Sequence, residues 1–120
     1  MKPARLRPQA KRDRQSEVRY YRDEAGGRVA EALVLATELG LDQLERQPSI
    51  GSPTLGTLLG IPTLRTWRVS GFPLMWFYFE REDHLDVIRL LGERQDIAAI
   101  LTSAGPLSAH EPEPGYDLMV

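Results

Sequence analysis

The spacing of apolar positions changes along the chain, and each change marks a new kind of element. From Gln9 to Asp23 the apolar residues Ala10, Val18 and Tyr21 are sparse among charges, which predicts a helix that buries a narrow stripe. The segment Glu24-Ala25-Gly26-Gly27 stops it, because paired glycines break a helix. From about Arg28 to Arg46, Val29, Leu33, Ala36 and Leu44 fall on one face at helical spacing and predict a second helix, with Gly40 and Pro48 marking its decline. Pro48 to Pro62, PSIGSPTLGTLLGIP, is rich in Gly, Pro, Ser and Thr and reads as a loop. Beyond it the period shortens. Leu64 to Val69, Leu74 to Glu80 and Leu85 to Leu91 read as three strands, joined by the tight links Ser70–Pro73 and Arg81–His84. In the first of these, Trp67 and Val69 share a side. Lys2 to Arg7 reads as a short edge strand ended by Pro8. Gln95 to Leu101 reads as a short final helix with Asp96 near its start.

The resulting order is β-α-α-β-β-β with a short C-terminal helix. Strands joined by short links pair antiparallel. The expected architecture is therefore α+β: two antiparallel helices packed on one face of a small twisted antiparallel sheet. Residues 1–101 form the expected domain, and residues 102–120, with Gly105, Pro106, Pro112, Pro114 and Gly115, read as a flexible acidic tail.

The strongest apolar segment is Leu74 to Phe79, LMWFYF. As a strand it places Met75, Phe77 and Phe79 on one face and Leu74, Trp76 and Tyr78 on the other. Both faces are apolar, which suits a central strand covered on both sides. The helices cover one face and leave the other for the tail or a partner. The expectation is that Met75, Phe77 and Phe79 enter the core, that Trp76 and Tyr78 anchor a partner, and that Tyr78 lies nearest the functional surface.

Composition narrows the chemistry. The 120 residues suit one domain, and there is no cysteine for disulfide or thiol chemistry. No apolar run approaches the ~20 residues that span a bilayer, and the charged N-terminus lacks the apolar core of a signal peptide. A soluble cytoplasmic protein without a membrane partner is expected. The net charge of −2 hides an asymmetry. Met1 to Arg22 holds eight bases and two acids, whereas Glu111, Glu113 and Asp117 follow Leu101 with no base. Such ends point to a charged partner or to an internal screen. No phosphate-cradling glycine loop or nucleophile elbow is present. His84 and His110 lie far apart in the sequence, so neither a metal nor a cofactor is expected.

What remains is a set of arginines on or beside the strands, Arg65, Arg68, Arg89 and Arg94, with the ring and hydroxyl of Tyr78. Arginine forks grip phosphates and carboxylates bidentately, so one reading is an anion-binding sheet face. The other reading pairs these arginines internally with Asp86, Glu80 or Glu93.

Leu64 to Leu101 resembles the C-terminal half of the RelE/ParE toxin family. The resemblance is carried, in order, by Leu64-Arg65, Gly71-Phe72-Pro73, Tyr78, Val87-Ile88-Arg89-Leu90-Leu91 and Arg94-Gln95-Asp96-Ile97. Arg19 to Leu33 resembles the family's helical hairpin, and Gln47 to Gly56 its Pro-x-x-Gly loop. The resemblance covers roughly Arg5 to Leu101. It implies two antiparallel helices on a twisted antiparallel sheet, and the toxin of a type II toxin–antitoxin module, wrapped and neutralised by a cognate antitoxin. ParE-like members poison DNA gyrase by binding it, whereas RelE-like members cut messenger RNA on the ribosome.

RNA cleavage needs a base, an acid and cations around the scissile phosphate. In many nuclease relatives a histidine stands two residues before the closing arginine, where this chain has Gly92. Its only lysines are Lys2 and Lys11, both outside the three central strands. The resemblance therefore leans to the ParE branch, with Arg65, Arg68, Trp76, Tyr78, Arg89 and Arg94 as partner-binding residues. A nuclease would draw its site from Arg65, Arg89, Arg94, Glu93 and Tyr78. A non-toxic member that only binds the antitoxin is the third reading. The antitoxin is expected across the first helix and the Arg89 face, in a hetero-oligomer with the toxin or on a toxin homodimer. The acidic tail is expected to screen Arg65, Arg89 or Arg94.

Overall fold

Pro8 starts the first helix, where its missing N–H costs nothing and its ring pre-sets the helical φ. In the computed structural model, which describes residues 1–102, eight elements follow one another. They are β1 (Ala4–Leu6), α1 (Pro8–Ala25), α2 (Gly27–Arg46), α3 (Thr54–Leu59), β2 (Arg65–Arg68), β3 (Leu74–Glu80), β4 (Leu85–Gly92) and α4 (Ile97–Thr102). Of the tail expected at 102–120, Thr102 ends α4, and residues 103–120 lie outside the described residues. The helical hairpin turns on one residue. Gly26, at φ 96, donates its N–H to the Arg22 carbonyl and accepts the Ala30 N–H, so it caps α1 and opens α2 at once. A side chain at that φ would be strained.

The sheet order is β1-β4-β3-β2. β2, β3 and β4 pair antiparallel, as their short links require. The antiparallel expectation stops at β1, which runs parallel to β4 in the register Ala4↔Leu85 and Leu6↔Val87. The sheet is therefore mixed. The helical hairpin, β2 and β3 all intervene between the two paired edges, which gives β1 room to return in the parallel sense. A register shift at Phe77/Tyr78 changes the alternation of β4. Leu85, Val87 and Leu90 face the α1–α2 side, while Ile88 and Leu91 face the other.

Both sheet faces are covered by this chain itself. On the first, Leu74, Trp76 and Tyr78 pack with Leu6, Ala10, Leu33, Leu41 and Leu44 beneath α1 and α2. On the second, Phe77, Phe79, Ile88 and Leu91 pack with Leu64 and Leu101, roofed by Leu55, Leu59, Ile97 and Ile100. Two expectations are corrected here. The segment Pro48–Pro62 is not all loop: it contains α3, whose Leu55 and Leu59 cover apolar surface despite the Gly- and Pro-rich composition around them. Trp76 and Tyr78 are not exposed anchors, because both are fully buried in the cluster beneath α1 and α2, where Pro48 and Gly51 close over the Tyr78 hydroxyl. Phe77 and Phe79 are buried as expected, and Met75 is half-buried. The Trp76 indole N–H is satisfied within the core by the Thr37 carbonyl at 3.1 Å.

Candidate partner-binding surface

The stripe that α1 turns to the sheet runs Ala10, Asp13, Glu17, Tyr21, at the three- and four-residue steps of one helical face. Two of its four members are acids, and both are buried, with Asp13 8% and Glu17 4% exposed. Asp13 is fully engaged. Its carboxylate accepts the fork of Arg89 at 2.8 and 3.0 Å, the Leu90 N–H at 2.9 Å and the Gln9 amide at 3.1 Å. Glu17 accepts Arg94 Nη2 at 2.9 Å, and the Arg94 guanidinium stacks 3.9 Å from the Tyr20 ring centroid. Tyr21 meets Phe72 edge to face nearby, and burial, ahead of the neighbouring Glu17, pushes its phenol pKa up.

This arrangement segregates charge. The acids of the basic N-terminal run point inward, so the outward face of α1 is more positive than its sequence total. Arg12, Arg19 and Arg22 are exposed, and Arg14 is half-buried. Among the described residues, Arg14, Arg19 and Arg22 make no ion pair. They line a groove of about 370 Å³ between α1 and α2, together with Gln15, Val18, Val34 and Glu38. Val18 and Val34 give it apolar lining and the α1 arginines a cationic wall. A hollow of about 140 Å³ continues it past Gly27, Ala30 and Glu31.

The expected site residues are spread across the sheet. Arg65 and Tyr78 are cross-strand neighbours. The Tyr78 hydroxyl donates to the Pro48 carbonyl at 2.7 Å and accepts the Gly51 N–H at 3.0 Å. Burial raises its pKa, with the Gly51 bond and Arg65 acting the other way. Arg65 Nη1 donates to the carbonyls of Ser49 and Gly51. At the other end of β4, Glu93 and Arg94 lie past the Leu74↔Gly92 pair, whereas Tyr78 pairs with Val87. That spacing along a strand is roughly 20 Å. The five residues of a nuclease reading therefore do not converge on one centre.

The expected internal pairings also need revision. Arg89 and Arg94 pair with Asp13 and Glu17 rather than with Asp86, Glu80 or Glu93. Asp86 instead holds Arg7 and Arg81, joining β1, β4 and the turn before β4. Glu80 holds Lys2 and Ser49, and the Lys2 bond, ahead of other causes, lowers its pKa. Only Arg68 and Glu93 approach as that reading has it, at 3.9 Å and largely exposed. The sequence signal for Asp13 and Glu17 was their place in the α1 stripe. A count of apolar positions passes over it, because acids occupy the slots.

A second surface was also missed. Ile50, 38% exposed, stands beside the half-buried Trp67, whose indole donates to Gln43 Oε1 at 3.1 Å. Gln43, Arg46, Gln47, Ile50 and Trp67 line a cleft of about 450 Å³. Another of about 420 Å³ lies against Gln47, Pro48, Ser49 and Ile50. Among the described residues, no group of three carboxylates or histidines is placed to hold a metal, and no helix is long and apolar enough to cross a membrane.

Residues 4–97 match the family model for the ParE toxin of the type II toxin–antitoxin system, parDE. The structure is similar to a solved chain of the chromosomal ParDE TA system from P. aeruginosa, with 16% identity and a TM-score of 0.66. The match covers 77% of this chain and 96% of that one. No curated protein sequence matches the chain. With a family match across most of its length and the fold to go with it, the chain belongs to the ParE toxins of type II toxin–antitoxin systems.

Proposed function

We propose that this chain is the toxin of its module, that it arrests growth in the cytoplasm by binding DNA gyrase, and that a cognate antitoxin neutralises it in a hetero-oligomer. The observation that carries the binding reading is the charge segregation of α1. Its two buried acids, Asp13 and Glu17, are spent on Arg89 and Arg94, and its unpaired arginines line a groove with apolar lining. An amphipathic segment bearing carboxylates fits that groove, with its apolar face on Val18 and Val34 and its acids against Arg14, Arg19 and Arg22. The separation of Arg65 and Tyr78 from Glu93 and Arg94 favours binding over RNA cleavage. Arg89 and Arg94 act in this reading as cations that set the position of α1.

Induction in a host cell tests it. The expected result is a DNA-damage response with filamentation, relieved by co-expression of the antitoxin encoded next door. Translation arrest with cut messenger RNA would overturn the gyrase reading in favour of a ribosome-dependent nuclease. Unaltered growth with retained antitoxin binding would leave a non-toxic family member.

A further inference from the structure

The loop between α2 and α3 is held more firmly than a connection requires. Tyr78 bonds it at Pro48 and Gly51, Arg65 at Ser49 and Gly51, and Glu80 at the Ser49 hydroxyl. Ser52 adds a two-bond bridge to Thr66 on β2, and the Ile50 N–H closes on the Gln47 carbonyl. Gly51 is obligatory, since a Cβ there would stand 2.5 Å from the Tyr78 hydroxyl oxygen. All of this fixes a short segment whose outward apolar side chain is Ile50.

Ile50 does not stand alone. Leu35, Leu39 and Gln43 follow one another at four-residue steps, so they form a single row on α2 that ends beside its C-cap, Gln47. Leu35 is 67% and Leu39 54% exposed, on the side of α2 away from Leu33, Thr37, Leu41 and Leu44. Gln43 carries the row onto Trp67, and the shared cleft carries it onto Ile50. A helix apolar on the face opposite its core face has a second surface to bury. Charge at the Ile50 end indicates with what. Arg46 rims the cleft, its side chain 62% exposed although paired with Asp42. Arg65, beneath the loop, hydrogen-bonds neutral carbonyls and so has no bonded carboxylate to offset its charge. Glu80 is already bonded to Lys2.

From this we infer that the strip Leu35–Leu39–Trp67–Ile50 is the surface that holds the toxin's protein target. The target would present a bulky apolar anchor with a carboxylate beside it. The anchor enters the cleft between Ile50 and Trp67, and the carboxylate meets Arg46 and Arg65. The antitoxin groove of α1 and α2 uses other residues. The inference rests on the reading that the toxin acts by binding a protein.

The test separates the two surfaces. Full-length wild type, I50D, L39D and W67A are compared in growth arrest, in inhibition of plasmid supercoiling by gyrase holoenzyme, and in affinity for the purified antitoxin. The expected result is that I50D and L39D need at least about tenfold more toxin for half-inhibition, with antitoxin affinity unchanged within about twofold. R46E should act in the same direction and flatten the salt dependence of inhibition. Retained antitoxin affinity shows that the variants fold. Strip variants that inhibit like wild type, or that lose antitoxin and target together, overturn the inference. If wild type arrests growth but spares gyrase, the gyrase reading alone falls, and rescue of growth by I50D still supports the strip. A wild type inert in both assays removes both.

Discussion

At the scale of single residues, the buried carboxylates decide more than the aromatics do. Asp13→Asn would leave the Arg89 fork facing a neutral amide inside the α1–β4 contact. Removing one partner of a buried pair costs about 3–5 kcal/mol, and equilibrium urea denaturation should show a loss of that order. Replacing Asp13 and Arg89 together by Leu and Met should cost less, because no uncompensated charge remains and the loss is confined to the bonds from the Leu90 N–H and the Gln9 amide. Tyr78 gives a second test. Tyr78→Phe strands the Gly51 N–H and the Pro48 carbonyl, and should cost about 1–3 kcal/mol, with faster amide exchange at Gly51. The raised phenol pKa also sets a sign. The neutral hydroxyl contributes stability that is complete below the unfolded value near 10 and is lost as the pH rises through the higher folded value. Spectrophotometric titration should find Tyr78 and Tyr21 ionising above the free range, and Tyr78→Phe should remove one of the two. A Tyr78 that ionises like free tyrosine would count against the burial described here. Glu80 has the opposite sign. Its salt bridge to Lys2 is fully present above the ordinary glutamate value and is lost as the pH falls through the lowered one.

At the scale of elements, two glycines make opposite predictions. An added Cβ at Gly40 of α2 meets Trp76 and Trp67 at 3.5–3.7 Å, an ordinary contact. Gly40→Ala should therefore raise stability by about 0.5–1 kcal/mol through helix propensity. Gly51→Ala should destabilise and should loosen the loop that presents Ile50. Thermal melts of the two variants against wild type check both directions. The same scale shows what could be read from the chain. Helical spacing found α1 and α2, and the shorter period found β2, β3 and β4. Composition hid α3, because Gly, Pro and Thr around Leu55 and Leu59 imitate a loop. Alternation showed that LMWFYF has two apolar faces, yet local sequence carries no record of which element lands on each. Alternation alone therefore points Tyr78 to the surface, whereas it is fully buried on the α1–α2 side. Arg65, Arg68, Arg89 and Arg94 were legible as a set, whereas their partners lie up to 77 residues away in the chain.

At the scale of the whole molecule, charge is sorted by direction more than by amount. A net −2 chain presents an unpaired basic wall along one groove. Antitoxin association should be fast at low salt and slow as ionic strength rises, since exposed charges steer encounter and are screened. Arg19→Glu with Arg22→Glu should reduce the association rate by about tenfold or more and weaken its salt dependence, read by stopped-flow mixing with the antitoxin. An unchanged rate would move the antitoxin elsewhere on the surface.

The parallel pairing of β1 with β4 has a consequence in time. Arg7 and its partner Asp86 are separated by 79 residues, so the sheet cannot close until nearly the whole domain exists. Closing so long a loop is entropically costly and slow relative to local pairing. The nascent chain therefore carries β1 without its sheet partner until β4 has been made, and the fold closes late.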